Sequence, residues 1–254
     1  VIYRDVSAQI GGRHVTNGLD YESLFSLRRL AFDDSTARNG SRIRNDDRDR
    51  VELRETLRVL LPLDLDREAY GEISFNQRQY DRTPDDDGRI RDSSGYQLLG
   101  GIRLDLTDLI TADLAAGWMS QTYVDPSFGD IGDYTLRGDF DWAITRLTNI
   151  TFNAARTVRE TTQTGASGIL ALEAGAGISH ELRRWLSLSI NAAYSSESYQ
   201  QTTRRDTITQ LGFGIGYDLN RFAQIEGGIA YDQRNSNSSG EDYERLQSHL
   251  RLTL

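Results

Sequence analysis

Along most of this chain apolar and polar residues alternate one by one. The clearest stretch runs Ile102-Arg103-Leu104-Asp105-Leu106, breaks at Thr107-Asp108, and resumes as Leu109-Ile110-Thr111-Ala112-Asp113-Leu114. Successive strand side chains point to opposite faces, so strict alternation predicts strand. The same unit of run, tight polar turn and run returns at Leu63-Asp64-Leu65-Asp66, at Phe140 to Ile144 with a turn through Arg146, at Glu181 to Arg184 and at Asn220-Arg221. These turns recur roughly every 35–40 residues, and longer polar segments separate them near 33–50, 81–94, 122–133, 160–167, 198–206 and 235–242. Short turns at one end, long loops at the other and alternating strands between predict an all-β fold. It is an antiparallel up-and-down transmembrane β-barrel of about 12 strands, with 14 as the alternative. Residues 1–18 read as a lead-in or an additional strand, since Val6, Ala8 and Ile10 alternate, and residues 19–254 as the barrel. The facing of Tyr21 to Phe32 is ambiguous.

The alternation sorts the side chains into two sets. One set is apolar, as in Leu186, Leu188, Ile190, Ala192 and Tyr194, or in the last run with Leu246, Leu250, Leu252 and Leu254. Several of its rows carry aromatics at the strand tips, the place where rings settle at a membrane interface. Trp118, Trp142, Trp185, Tyr194, Phe213, Tyr217 and Tyr231 are expected to face lipid or its boundary.

The other set is charged: Arg54, Arg58, Arg103, Asp105, Asp113, Arg137, Asp139, Asp141, Glu173, Glu226, Arg245 and Arg251. A sandwich core cannot be made from it, because an unpaired buried charge costs several kcal/mol. A lumen can, and these residues are expected to line one, with Gly175, Gly177, Gly212, Gly214, Gly216 and Gly228 leaving room beside them. Both signs occur on the same faces, which predicts mutual pairing, with Asp139 and Asp141 held by Arg neighbours.

Composition narrows the picture. Hydrophobic residues make up 37% of the 254, with no run near the roughly 18–20 that a membrane helix needs. A barrel keeps hydropathy low because only alternate strand residues face lipid. The net charge of −9 argues against a nucleic-acid surface. Cysteine is absent, so no disulfide or thiolate chemistry is available, and proline numbers only 3, as a continuous ladder requires. Every basic residue except the three His is Arg, whose planar fork can pair with several carboxylates. No signal peptide precedes the first run, as expected of a mature or trimmed form.

Catalytic signatures are missing. No phosphate loop or clustered His/Cys set occurs, and His14, His180 and His249 lie far apart, so no enzyme activity, metal or cofactor is expected. Asp85-Asp86-Asp87-Gly88 and Asn45-Asp46-Asp47 are oxygen-rich, but neither completes a calcium loop with a distal Glu, and solvated loops are expected there.

Three strand-turn-strand units, Asp105-Leu106-Thr107-Asp108-Leu109, Thr145-Arg146-Leu147-Thr148-Asn149 and Asp218-Leu219-Asn220-Arg221-Phe222, carry a family resemblance together with the closing Asp242-Tyr243-Glu244-Arg245-Leu246 segment. Over most of its length the chain resembles the outer-membrane β-barrel porins of proteobacteria that are often found with exopolysaccharide genes. The resemblance implies a Gram-negative outer-membrane channel for polar solutes, with outer-membrane lipid around it and a secreted polysaccharide or envelope protein as partner. A non-conducting barrel that anchors a surface assembly is the alternative.

Overall fold

The computed structural model describes residues 3–36 and 40–253. Leu254, expected in the last apolar row, lies outside them. The strands are β1 (Tyr3–Thr16), β2 (Leu19–Phe32), β3 (Ser35–Thr36), β4 (Arg42–Ile43), β5 (Arg50–Pro62), β6 (Arg67–Tyr80), β7 (Ser93–Thr107), β8 (Ile110–Tyr123), β9 (Ile131–Thr145), β10 (Thr148–Arg159), β11 (Ile169–Arg183), β12 (Leu186–Tyr199), β13 (Arg205–Asn220), β14 (Ala223–Ser236) and β15 (Tyr243–Thr253). Among the described residues one antiparallel sheet of 13 strands runs in sequence order from β1 to β15, passing over β3 and β4, which pair only with each other. Twelve strands lie from Leu19 onward; the thirteenth, β1, occupies the segment that sequence left as lead-in or strand. Among the described residues the edges β1 and β15 are not hydrogen-bonded to each other, so the sheet is open and does not decide between 12 and 14 strands.

The short turns share one design. Leu109, Leu147 and Phe222 each donate a backbone N–H to the side chain two residues earlier, Thr107, Thr145 and Asn220, at 3.2, 3.1 and 2.8 Å. Such side-chain acceptors mimic a backbone turn, which is why Thr and Asn stand there. The turn carbonyls of Leu109, Leu147 and Trp185 then accept the backbone N–H of Ala143, Glu181 and Asp218, at 2.8, 2.8 and 2.9 Å. The repeat legible in the sequence is thus a repeat of hydrogen bonds, each hairpin tied to the next.

Long-range polar contacts show which way the sheet bends. Arg78 on β6 donates to the Val158 carbonyl on β10 at 3.2 Å, with three strands lying between them. On a flat sheet those strands would stand about 19 Å apart, far beyond an Arg side chain. Arg137 on β9 likewise reaches Glu72 on β6. The polar face is therefore concave.

The convex face carries the apolar rows. Tyr21, Phe25 and Leu27 resolve the ambiguous β2, since their partners Val59, Glu55 and Leu53 share that face. At the long-loop end a belt of rings passes along directly paired positions from Phe25, across Glu55, to Phe75 and Tyr96, and Trp118 pairs with Tyr134 beside it. At the short-turn end lie Trp142, Trp185 and Tyr217, the last two with ring centroids 5.1 Å apart. Tyr134 and Trp142 are eight residues apart on β9, about 27 Å along a strand and about 20 Å across a layer at a tilt near 40°. That is close to the height of the apolar band of an outer-membrane barrel.

Candidate solute pathway on the concave face

The two halves of the concave face are built differently. From β5 to β9 it is filled with braced charge. Glu72, only 6% exposed, accepts from Arg58 at 2.9 and 2.5 Å, and from both ends of the Arg137 fork at 3.2 and 3.1 Å. Arg137 also donates to the Tyr70 hydroxyl at 3.2 Å, and that hydroxyl donates to Asp113. Arg103 bridges Asp113 and Glu68, both at 3.4 Å. The Tyr70 ring lies flat because Gly101 opposite has no side chain; a Cβ there would collide with it. The ring in turn gives the Arg58 guanidinium a face at 4.7 Å. Leu60, Leu99 and Ala115 pack with Tyr70 beneath this network.

From β10 to β14 glycines and short polar side chains floor the same face, with Arg159, Glu173, Glu197 and Arg234 charged towards the long-loop end. Asn153 leans over Gly175, Ser189 over Gly214, Ser187 over Gly216 and the His249 ring over Gly228, each so closely that a Cβ would not fit. Polar side chains thus lie down on the sheet instead of standing off it. A cavity of about 560 Å³ remains above them, bordered by Asn153, Asn191, Gln210, Glu173 and Tyr243.

Loops fold over the long-loop end. Glu160, just past β10, pairs with Arg78 and accepts from the Tyr80 hydroxyl at 2.8 Å. Arg91 is buried at 3% exposure, donates to Asp85 at 2.6 Å and to the Thr161 carbonyl at 2.7 Å, and stacks on Phe128. Asp85 also accepts backbone N–H groups of Asp87 and Arg89. It is a buried staple rather than the solvated carboxylate expected from its acidic run. On the other side Arg204 clamps Asp206 at 2.7 Å and Glu241 at 2.8 Å. The Ser127 hydroxyl, with the backbone N–H groups of Ile90 and Ser127, holds the Asp125 carboxyl down at about 2.

The register places Arg54, Arg58, Arg103, Asp105, Asp113, Arg137, Asp139, Asp141, Glu173, Glu226, Arg245 and Arg251 on the concave side. Glu173 pairs with Arg159 at 2.6 Å, Arg245 with Asp232 at 2.7 Å, and Arg251 with Glu226 at 3.7 Å. Asp139 and Asp141 correct an expectation, because neither forms an ion pair among the described residues. Asp139 stands opposite Asp113 and Asn153, and Asp141 opposite Thr111 and Thr151, so no Arg stands directly opposite either, and Arg103 beyond Asp113 is taken by Asp113 and Glu68. Trp118, Trp142, Trp185, Tyr194, Phe213 and Tyr217 are exposed, and Tyr231 is half-buried. Sequence reasoning missed the buried Arg91–Asp85 pair, whose partners meet once their loop folds, and the buried Arg204–Asp206 pair, whose i, i+2 spacing at the start of β13 was the signal for it.

The sequence matches the family described as "Putative beta-barrel porin 2" over residues 1–254. The chain belongs to that family. None of the curated proteins compared matches it. Similar solved structures include the Pseudomonas putida toluene transporter TodX, at 10% identity over 96% of this chain and 81% of that one, TM-score 0.43. The monoaromatic hydrocarbon channel CymD is 10% identical over 98% and 86%, TM-score 0.40. The ferric yersiniabactin receptor FyuA from Yersinia pestis is 11% identical over 94% and 43%, TM-score 0.44. Membership of a porin family makes the chain a membrane channel protein in general.

Proposed function

We propose that this porin-family chain is a Gram-negative outer-membrane channel through which polar solutes pass along the concave face. Lipid meets the convex face and the long loops face outward. The observation that carries the reading is the glycine-floored cavity between β10 and β14, where amide and hydroxyl groups, with Arg159, Glu173, Glu197 and Arg234 on the same rim, border an open space of about 560 Å³. Amides and hydroxyls exchange hydrogen bonds with a hydrated solute without holding it, as conduction requires. A hydroxyl-rich chain such as a secreted polysaccharide fits that chemistry, and the family resemblance favours it. No catalytic step is needed.

One observation favours a second reading, a barrel that anchors an envelope partner and conducts little. The Arg78–Glu160 and Arg91–Thr161 contacts strap loops across the mouth. Single-channel recording of the purified protein in a planar bilayer tests both. Steady conductance supports the channel; none in wild type, and none after Arg78→Ala frees the strap, supports the anchor.

A further inference from the structure

We infer that Arg54 is the docking point for an oxyanion group, a carboxylate, phosphate or sulfate, borne by a solute in the passage. This rests on the channel reading and names one chemical class that the passage holds. Arg54 sits on the concave face of the charged wall, level with Asn76 on β6. Unlike Arg58, Arg103 and Arg137 around it, its guanidinium makes no ion pair or hydrogen bond with any described residue. The carboxylates nearby are already engaged: Glu52 by Arg50 at 2.7 Å, Glu72 by Arg58 and Arg137, and Glu160 by Arg78.

A small cavity of about 60 Å³ opens between Arg54, Asn76, Arg78, Gln97, Gln121 and Thr157. Its neutral members cannot balance the guanidinium. The Gln97 amide donates to Thr135 at 2.5 Å and the Gln121 amide to Ser93 at 2.9 Å, so both are committed to the wall. Arg54 is exposed to the passage, where water solvates its charge, and an oxyanion carried by a solute can take the place of that water. A space of this size takes one compact group and leaves the rest of the solute in the wider passage. A planar fork matches the two oxygens of such a group, which a point charge does not. A single grip of this kind is strong enough to select and weak enough to release.

The test uses the full chain in detergent, titrated calorimetrically with glucuronate, glucose, inorganic phosphate and inorganic sulfate, and the same chain in planar bilayers. The expected result is binding of glucuronate and at least one inorganic anion but not glucose. Arg54→Gln should weaken it at least tenfold and Arg54→Lys should restore part of it. The glucuronate and inorganic arms separate an acidic sugar from a free anion. Arg54 carries no internal pair, so Arg54→Gln should keep the wild-type strand signal in circular dichroism. Glucose binding as tightly as glucuronate, or anion binding untouched by Arg54→Gln, overturns the assignment. Conductance without Arg54-dependent binding defeats this inference and leaves the channel standing; Arg54-dependent binding without conductance does the reverse.

Discussion

The two walls of the concave face, β5–β9 and β10–β14, solve one problem in opposite ways. Both must present polar groups to water while their outer sides stay apolar. The first does so by neutralising charge in place: Glu72 takes two guanidinium groups and Tyr70 passes a hydrogen bond from Arg137 to Asp113. The second removes bulk, and glycines let Asn153, Ser187 and Ser189 lie against the backbone. The difference teaches that bore and rigidity are assigned to different sides. One wall is a brace; the other is the space.

The largest expected effect comes from filling that space. Gly212→Trp puts a ring into the open side, where a Cβ meets nothing nearer than 3.9 Å. Single-channel conductance should fall severalfold with the strand signal in circular dichroism unchanged. Equal conductance would mean that solute does not use this wall. Next in size is the brace. Glu72→Gln leaves Arg58 and Arg137 without their shared carboxylate and should cost about 3 kcal/mol in urea unfolding from lipid vesicles, as breaking a buried pair does. Glu226→Gln, whose Arg251 partner is 3.7 Å away and exposed, should cost under about 1 kcal/mol. Similar losses for both would erase the distinction.

Smaller still is a change of selectivity without a change of stability. Asp139 and Asp141 hold no Arg, so Asp139→Asn with Asp141→Asn should shift reversal potential towards anions in a salt gradient and leave the unfolding midpoint where it was. A drop in stability would show that they brace the wall after all. The smallest effect lies at the mouth. The Asp125 carboxyl titrates near 2, below the ordinary carboxylate, so its hold on the Ile90 N–H is complete above about pH 4 and lost as pH falls through 2. Protection of the Ile90 N–H, its hydrogen-exchange rate taken against the intrinsic rate at each pH, should therefore fall over that interval in wild type and already be low in Asp125→Asn.

The brace and the space were not equally legible in the sequence. Period-two alternation fixed the face of almost every strand residue, and a one-residue slip would have turned Arg103 and Asp113 onto the apolar face. The inward glycines could be read in the same way. What alternation cannot carry is which charge meets which. Glu72 and Arg137 are 65 residues apart and their pairing depends on curvature. Asp139 and Asp141 resembled their neighbours on paper, yet the positions directly opposite them hold Asp113, Asn153, Thr111 and Thr151. Loop pairs such as Arg91–Asp85 follow no period, so their burial left no mark in the pattern. The strand Tyr21 to Phe32 was ambiguous because Leu24 and Leu30 sit among the polar partners Thr56 and Arg50.

The bond from each short-turn carbonyl to the next hairpin has a consequence for how such a wall can grow. Leu109 to Ala143, Leu147 to Glu181 and Trp185 to Asp218 are the same joint repeated, so a hairpin copied into the chain would meet a ready-made socket on either side. Duplication would then widen the sheet by two strands, about 9.6 Å, at each step. Steps of two never alter parity. A sheet of 13 strands keeps its first and last strands pointing the same way however many hairpins are added, so β1 and β15 can meet directly only side by side in parallel, and an antiparallel seam needs a strand that is not part of any such repeat.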